Sequence, residues 1–186
     1  MEKQSKEEKV LLDTGWFEVL EKDGSFGIRP HHLNVIVFPY ILGATGLPEE
    51  VILVKEKNKF RKGGEHISLV TGDAEGEDPD VLSSAQRELK EETGYDVTDT
   101  NRWTYLGLIT TSKILEQEQP AFACDVSGIS RKEPEGDGSK AEEQMKVLVM
   151  PIREALDLPD AYIPALFVKV FKYVFGISFS KNNEKN

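Results

Sequence analysis

The chain has 186 residues, of which 39% are hydrophobic and 30% are charged, and its formal net charge is −10 at pH 7. These values are typical of a globular domain with a buried core, and they exclude an intrinsically disordered chain. The negative charge disfavours binding to a nucleic-acid polymer, whereas a small anionic substrate can still bind if a divalent cation bridges it to the protein.

The single cysteine, Cys124, excludes an intrachain disulfide and is typical of a reducing compartment. The first ten residues, MEKQSKEEKV, lack the apolar run of a secretion signal. Residues 161–179 are apolar, but a proline, two lysines and a glycine interrupt them. This pattern predicts an amphipathic terminal helix rather than a membrane span. We therefore predict a soluble cytoplasmic protein.

The sequence divides into a polar N-terminal segment, one domain and a polar tail. Residues 1–14 are polar, and we expect them to be frayed or loosely helical. Residues 15–178 are predicted to form a single domain, because this length suits one core. Residues 179–186 form the polar C-terminal tail.

The first half of the domain has the pattern of strands. WFEVLEKDGSFGIRP predicts two short strands joined at Asp23 and Gly24, which are typical hairpin residues. Three β-branched runs predict further strands: LNVIVFPYIL, EVILVKEK and HISLVTG, the last of which ends at Gly72.

A helix is predicted next, over residues 79–93. Asp78 suits the N-cap and Pro79 the first helical position. Leucines and an alanine then recur at helical spacing, and Gly94 suits the left-handed position that ends a helix.

The second half of the domain returns to strands and ends in helices. WTYLGLITT, QPAFACDVS and KVLVMPI predict strands, REALDL predicts a short helix, and the amphipathic terminal helix follows. Strands on either side of one helix, with a second helix at the end, indicate an α/β fold with a mixed sheet between helices.

Three glutamates crowd the end of the first predicted helix. Residues three and four apart are neighbours on a helix, so Glu88, Glu91 and Glu92 form one carboxylate cluster, and Arg87 can pair with Glu91. Mg²⁺ binds oxygen ligands and often shares phosphate oxygens with a substrate. The cluster thus indicates metal-assisted phosphate hydrolysis. A solvated glutamate-rich helix face is the alternative for these glutamates alone.

The longer pattern is more specific. RELKEETGY, residues 87–95, resembles the second half of the Nudix box, Gly-x5-Glu-x7-Arg-Glu-U-x-Glu-Glu-x-Gly-U, where U is a bulky apolar residue. The resemblance implies a Nudix hydrolase, which cleaves nucleoside diphosphates linked to another moiety. It also implies a Nudix-type α/β/α sandwich, and the predicted order of elements is compatible with that fold over residues 25–175.

The resemblance assigns roles within the box. It implies that Glu88, Glu91 and Glu92 bind Mg²⁺, for which Mn²⁺, the family's other metal, can substitute. In the family a backbone carbonyl just before the box glycine can also ligate metal, and its counterpart here belongs to Thr71. Arg87 would orient the carboxylates rather than touch the substrate.

The first half of the box departs from the family spacing. Glu77 lies five residues after Gly72, one fewer than in the family. Nine residues instead of seven then separate Glu77 from Arg87. A shortened loop and a longer helix entrance would reconcile the two patterns, so the change concerns loop geometry and substrate pose.

Two loops supply further candidates. Arg61 follows a strand in the basic loop KNKFRKGG and suits bidentate contact with substrate phosphates; a solvated turn is the alternative. Glu116 and Glu118 lie in SKILEQEQP, where several Nudix hydrolases carry a glutamate that joins the metal site or acts as general base. We predict Glu118 for this role, with Glu116 or a box glutamate as alternatives. The three histidines are assigned no chemistry.

Together these observations favour a metal-dependent hydrolase of the diphosphate linkage in a nucleoside diphosphate derivative, with ADP-ribose or a nucleotide sugar as the first candidate. The alternatives are a Nudix-fold domain that senses nucleotides without turnover and a purely structural acidic protein. The expected partner is a small-molecule substrate. A homodimer is also possible, because ADP-ribose-type family members often dimerise through N-terminal strands.

Overall fold

A computed structural model of the protein describes residues 7–59, 62–74, 78–110, 112–134 and 145–177. Its strands are β1 (Lys9–Asp13), β2 (Phe17–Lys22), β3 (Ser25–Pro30), β4 (Leu33–Leu42), β5 (Pro48–Lys57), β6 (Glu65–Ser68), β7 (Val70–Ala74), β8 (Trp103–Ile109), β9 (Gln119–Asp125) and β10 (Lys146–Pro151). Its helices are α1 (Val81–Thr93), α2 (Ile152–Ala155) and α3 (Tyr162–Tyr173), with a 3-10 turn at Thr100–Arg102.

The most β-branched stretches of the sequence become the central strands β4 and β5, because branched side chains pack well on a pleated sheet. Among the described residues, a seven-stranded sheet follows the order β10-β5-β4-β9-β8, with β6 beside β5 and β7 beside β4. Strand β4 runs parallel to β9 and antiparallel to β5 and β7, so the sheet is mixed.

Successive side chains of β4 enter two different cores, as the alternation of a strand requires. Val35 and Val37 pack in a core with Leu89 of α1, whereas Ile36 packs in a second core with Leu166 of α3. A mixed sheet with helices on both faces is an α/β/α sandwich. The predicted fold class is therefore confirmed.

The three N-terminal strands form a separate antiparallel sheet in the order β1-β2-β3. The predicted hairpin at Asp23 and Gly24 is confirmed, and both residues have positive φ angles, of 51° and 77°. The expectation that residues 1–14 are frayed or loosely helical is wrong for β1. This strand forms because it pairs with β2 over Lys9–Asp13.

The predicted strand HISLVTG is divided in two at Leu69. Strand β6 pairs with β5, and β7 pairs with β4 and continues past Gly72 to Ala74. The chain changes partners at the break, and Leu69 is fully buried there. Strands β4 and β5 diverge toward this end, and β6 and β7 lie between them. The end of β7 therefore lies under α1.

Helix α1 begins two residues later than predicted, and its N-cap is Asp80 instead of Asp78. The Asp80 Oδ1 atom accepts a hydrogen bond from the Ser83 backbone N–H at 2.8 Å. Asp78 instead bonds the side chain of Arg87, at 3.2 Å. Two aspartates lie within three residues of each other, and the contact with Arg87 decides which of them caps the helix.

The C-terminal half agrees with the sequence prediction. Strands β8, β9 and β10 lie within the predicted runs, and α2 overlaps the predicted short helix. Helix α3 buries Ile163, Leu166 and Val170, so it is the amphipathic terminal helix expected. No helix in the described part of the chain is long and apolar enough to cross a membrane. The tail at residues 179–186 lies outside the described residues.

Gly94 ends α1 in the left-handed conformation, and a Cβ there would lie 2.0 Å from the Lys132 backbone oxygen. Gly128 has a similar φ of 72° but no atom within 4 Å of its Cβ position. We expect Gly128→Ala to destabilise the protein by roughly 1–2 kcal/mol through backbone strain alone. Gly94→Ala should cost about 1–3 kcal/mol more, because the Lys132 backbone must move. Equal losses in urea unfolding of the two variants would contradict this explanation.

Candidate functional site

Helix α1 brings its three glutamates to one end of the sheet. Glu88 and Glu92 retain only 7% and 8% of their accessible surface, and Glu91 is half-buried. Burial of a carboxylate is unfavourable unless a positive charge or hydrogen bonds compensate it. The cluster therefore differs from a solvated helix face, which was the alternative interpretation of these glutamates.

Arg87 directly compensates the carboxylates of Glu88 and Glu91. Its Nη1 donates to Glu88 Oε1 at 2.8 Å and to Glu91 Oε2 at 2.9 Å. Its Nη2 donates to the Asp73 backbone oxygen at 2.7 Å and to Asp78 Oδ2 at 3.2 Å. One guanidinium thus links the helix to β7 and to the segment before the helix. The orienting role expected for Arg87 stays a prediction.

Gly72 lies directly beneath the Glu88 carboxyl group. A Cβ at position 72 would be 1.9 Å from Glu88 Cδ and 2.1 Å from Oε2, closer than any side chain allows. The site therefore requires a glycine because of this close approach. The missing Cβ leaves a cradle for the carboxylate, beside the peptide bond that joins Thr71 to Gly72.

Burial raises the pKa of Glu88 to about 7, although Arg87 acts in the opposite direction. Glu91 and Asp73 add negative charge and raise the pKa further. A cation beside such a carboxyl group favours its ionised form. The oxygen donors of this cradle fit a hard divalent cation such as Mg²⁺.

The loop glutamates have no contact with the carboxylates of α1 among the described hydrogen bonds and ion pairs. Glu116 bonds Arg29 of β3, with 2.9 Å between Glu116 Oε2 and Arg29 Nε. Glu118 is exposed one residue before β9. Arg61 and Glu77 lie outside the described residues, so their roles stay predictions.

Two contributions to the site were missed by the sequence analysis. The Asp73 backbone oxygen and the Asp78 carboxylate both accept from Arg87. Asp78 precedes the helix in the sequence, but an aspartate at this place is also typical of a helix N-cap, so its contact with Arg87 was not predicted. No sequence signal marks the Asp73 oxygen, because its role depends on the pairing of β7 with β4.

A second group of possible metal ligands lies on the N-terminal sheet. Atoms of Asp13, Glu18 and His31 lie within 4.8 Å of one another. His31 Nε2 is 2.9 Å from Asp13 Oδ1, and Arg29 Nη1 donates to Glu18 at 3.1 Å. The guanidinium beside Glu18 opposes a cation, so the group is explained as an ion-pair network.

Comparison with known proteins identifies the family of the chain and proteins with a similar fold. The sequence model of the NUDIX domain matches residues 30–169. Among solved structures, an ADP compounds hydrolase is 16% identical with a TM-score of 0.65, and 93% of this chain and 94% of that chain are covered. The NUDIX domain of Shewanella oneidensis NrtR, complexed with ADP ribose, is 15% identical with a TM-score of 0.56, and the coverage is 76% and 86%. No curated protein gives a significant match.

The cradle can be tested with Gly72→Ala, which should displace the Glu88 carboxyl group and weaken Mn²⁺ binding by roughly 10–100-fold. Gly43→Ala is the matched control, because a Cβ there would lie 2.0 Å from Glu49 Oε2, in the turn between β4 and β5. Isothermal titration of both variants should show weakened binding for the first only. Unchanged Mn²⁺ affinity in Gly72→Ala would exclude the cradle as the metal site.

Proposed function

The chain belongs to the NUDIX domain family, and we propose that it hydrolyses the diphosphate linkage of a nucleoside diphosphate derivative with the help of a divalent cation. The observation that carries the proposal is the Glu88 carboxylate, which is buried over Gly72 and held by Arg87. A buried acidic cluster with an orienting arginine is suited to holding a cation between protein and phosphate.

The proposed ligands of Mg²⁺ are Glu88, Glu91, Glu92 and the backbone carbonyl of Thr71, with Mn²⁺ as a substitute. When bound, the cation polarises the phosphorus–oxygen bonds and makes water a better nucleophile. Arg87 is the proposed orienting residue, and its bonds to Glu88 and Glu91 at 2.8 and 2.9 Å support this role. The cation also offsets the repulsion between an anionic substrate and a protein of net charge −10.

Glu118 is the proposed general base. It would accept a proton from water while the water oxygen forms the new bond to phosphorus. The phosphorus–oxygen bond of the diphosphate bridge breaks, and the bridging oxygen leaves on the other phosphate. Arg61 is the proposed contact for the substrate phosphates, because an arginine fork matches phosphate oxygens.

ADP-ribose is the first substrate to test. Support comes from the two similar structures, of which one is an ADP compounds hydrolase and the other is complexed with ADP ribose. Hydrolysis of ADP-ribose would give AMP and ribose 5-phosphate. Nucleotide sugars come next, because they share the nucleoside diphosphate group and differ in the attached sugar.

A nucleotide-sensing domain without turnover is the second candidate. The complex of the similar NrtR domain with ADP ribose is compatible with this candidate as well as with the enzyme. The altered spacing of Glu77 in the box also fits this candidate. Binding without multiple turnover would distinguish it from the enzyme.

The decisive experiment measures turnover on a panel of nucleoside diphosphate derivatives, including ADP-ribose, with Mg²⁺, Mn²⁺ or EDTA. We expect hydrolysis that requires the cation and falls by at least 100-fold in the double variant Glu91→Gln, Glu92→Gln, which removes two proposed ligand charges. The matched control is Glu49→Gln, Glu50→Gln, an adjacent pair in β5. Turnover that persists in the first double variant would refute the proposed metal site, and substrate binding without turnover would favour the sensing domain.

We also propose that the chain forms a homodimer through β1. This strand is at the edge of the N-terminal sheet, and Val10, Leu11 and Leu12 are all exposed on it. Antiparallel pairing of two copies about Leu11 would set Lys9 opposite Asp13 and Val10 opposite Leu12. Opposite charges and apolar pairs would then meet across a two-fold axis, and the exposed edge would be covered.

The dimer can be tested by sedimentation equilibrium. Leu11→Lys should shift the protein to monomer, because the substituted lysines would meet at the two-fold axis. Val168→Lys is the control, since Val168 is an exposed apolar residue on α3. A wild-type monomer, or a Leu11→Lys dimer, would contradict pairing through β1.

A cytoplasmic location is proposed from the cysteine content. Cys124 is buried, and burial raises the pKa of its thiol, so it is expected to be an unreactive core residue.

A further inference from the structure

The segment before β9 is bound to the N-terminal sheet by its backbone. The Ile28 N–H of β3 donates to the Ile114 oxygen at 2.7 Å, and the Glu116 N–H donates to the Ile28 oxygen at 2.7 Å. Ile28 and Leu115 thereby form a parallel bridge. The residues before β9 thus extend the three-stranded sheet at its β3 edge.

Arg29 strengthens this junction with an ion-pair network. Its Nε donates to Glu116 Oε2 at 2.9 Å, its Nη1 to Glu18 Oε2 at 3.1 Å and its Nη2 to Glu8 Oε1 at 2.7 Å. One exposed ion pair usually contributes little to stability, but here three carboxylates from three segments share one guanidinium. Glu116 is therefore held at the N-terminal sheet.

A second anchor follows directly. The Gln117 side-chain amide donates to the His32 backbone oxygen at 2.9 Å. A cavity of about 370 Å³ lies beside the junction, between residues such as Phe26 and Lys113. The segment is therefore held mainly by hydrogen bonds and ion pairs rather than by apolar packing.

The alternation of side chains along β9 indicates the face of the sheet on which Glu118 lies. Gln119 contacts the Tyr162 hydroxyl of α3, whereas Phe122 and Cys124 of β9 pack in the core with α1. Strand alternation, continued one residue before β9, directs Glu118 to the α1 side of the sheet.

The register places Glu118 at the end of the sheet where β4 begins and β7 ends. Strand β4 lies between β7 and β9, and Ile36 pairs with both Thr71 and Ala121. Two strand spacings separate β7 from β9, which is about 10 Å. Glu118 therefore lies across β4 from the strand that carries Gly72, on the face where Glu88 lies.

We propose that Arg29 is a positioning residue: with the β3 edge, it holds Glu116 away from the metal site and thereby directs Glu118 toward the carboxylates of α1. The inference rests on the proposed function and decides between the two loop glutamates that the sequence left open. Glu116 is the ion-pair partner of Arg29, and Glu118 is the group that reaches the attacking water.

Steady-state kinetics of Arg29→Met tests the positioning role. We expect kcat to fall roughly 10–100-fold, since a displacement of about 1 Å can cost 10²-fold, while KM changes less than about twofold. Arg29→Lys keeps the charge and should recover part of kcat. Glu116→Gln should resemble Arg29→Met. The control is Arg153→Met, because Arg153 is exposed and its ion pair among the described residues is with the adjacent Glu154.

A protease assay separates this inference from the proposed function. Endoproteinase Lys-C, which cuts after lysine, should cleave the native protein after Lys113 faster in Arg29→Met and Glu116→Gln than in wild type or Glu118→Gln. An unchanged cleavage rate would overturn the anchoring whatever the substrate is. Faster cleavage with wild-type kcat would overturn only the positioning role. A wild-type protein without turnover would overturn both the proposed function and the role of Arg29 in it.

Discussion

The arrangement of this site depends on one side chain, Arg87. Its guanidinium joins two glutamates of α1 to the backbone of β7 and to the segment before the helix. Without the positive charge of this guanidinium, three carboxylates at helical spacing would repel one another beside a buried core. The same contacts fix the rotation of α1 over the sheet, so that Glu88 lies on Gly72 rather than in solvent. The electrostatic requirement and the packing requirement are met by the same bonds.

Strand β4 then places the other parts of the site relative to this helix. Its first half pairs with β7 on one edge, and its middle pairs with β9 on the opposite edge. The strand beneath Glu88 and the strand that follows Glu118 are therefore second neighbours in a rigid sheet. The loops that carry candidate residues begin at the end of the sheet where β4 starts. Binding sites are often built in this way, from loops held by a scaffold of regular elements.

Features that depend on local chemistry were predictable from the sequence. Helix α1, its terminal Gly94 and the central strands follow from periodicity, capping and β-branched composition. The glutamate cluster was predicted because helical spacing alone brings its members together.

Features that depend on distant partners were not predictable. Strand β1 is a strand because β2 pairs with it, and the break at Leu69 exists because β6 and β7 pair with different strands. The cap was assigned to Asp78 because nothing local shows that Arg87 binds this residue. The pair of Arg29 and Glu116 joins positions 87 residues apart, so no short motif reveals it.

Gly72 also sets a conflict between stability and activity. A glycine inside a strand costs roughly 0.5–1 kcal/mol relative to alanine, because it loses more conformational freedom on folding. Strand β7 would therefore gain stability from almost any side chain at this position if Glu88 were absent. In the wild-type chain, by contrast, any side chain at this position must first displace the buried Glu88 carboxylate from its bond with Arg87. Stability of the strand and placement of the Glu88 carboxylate thus make opposite demands on the residue at position 72.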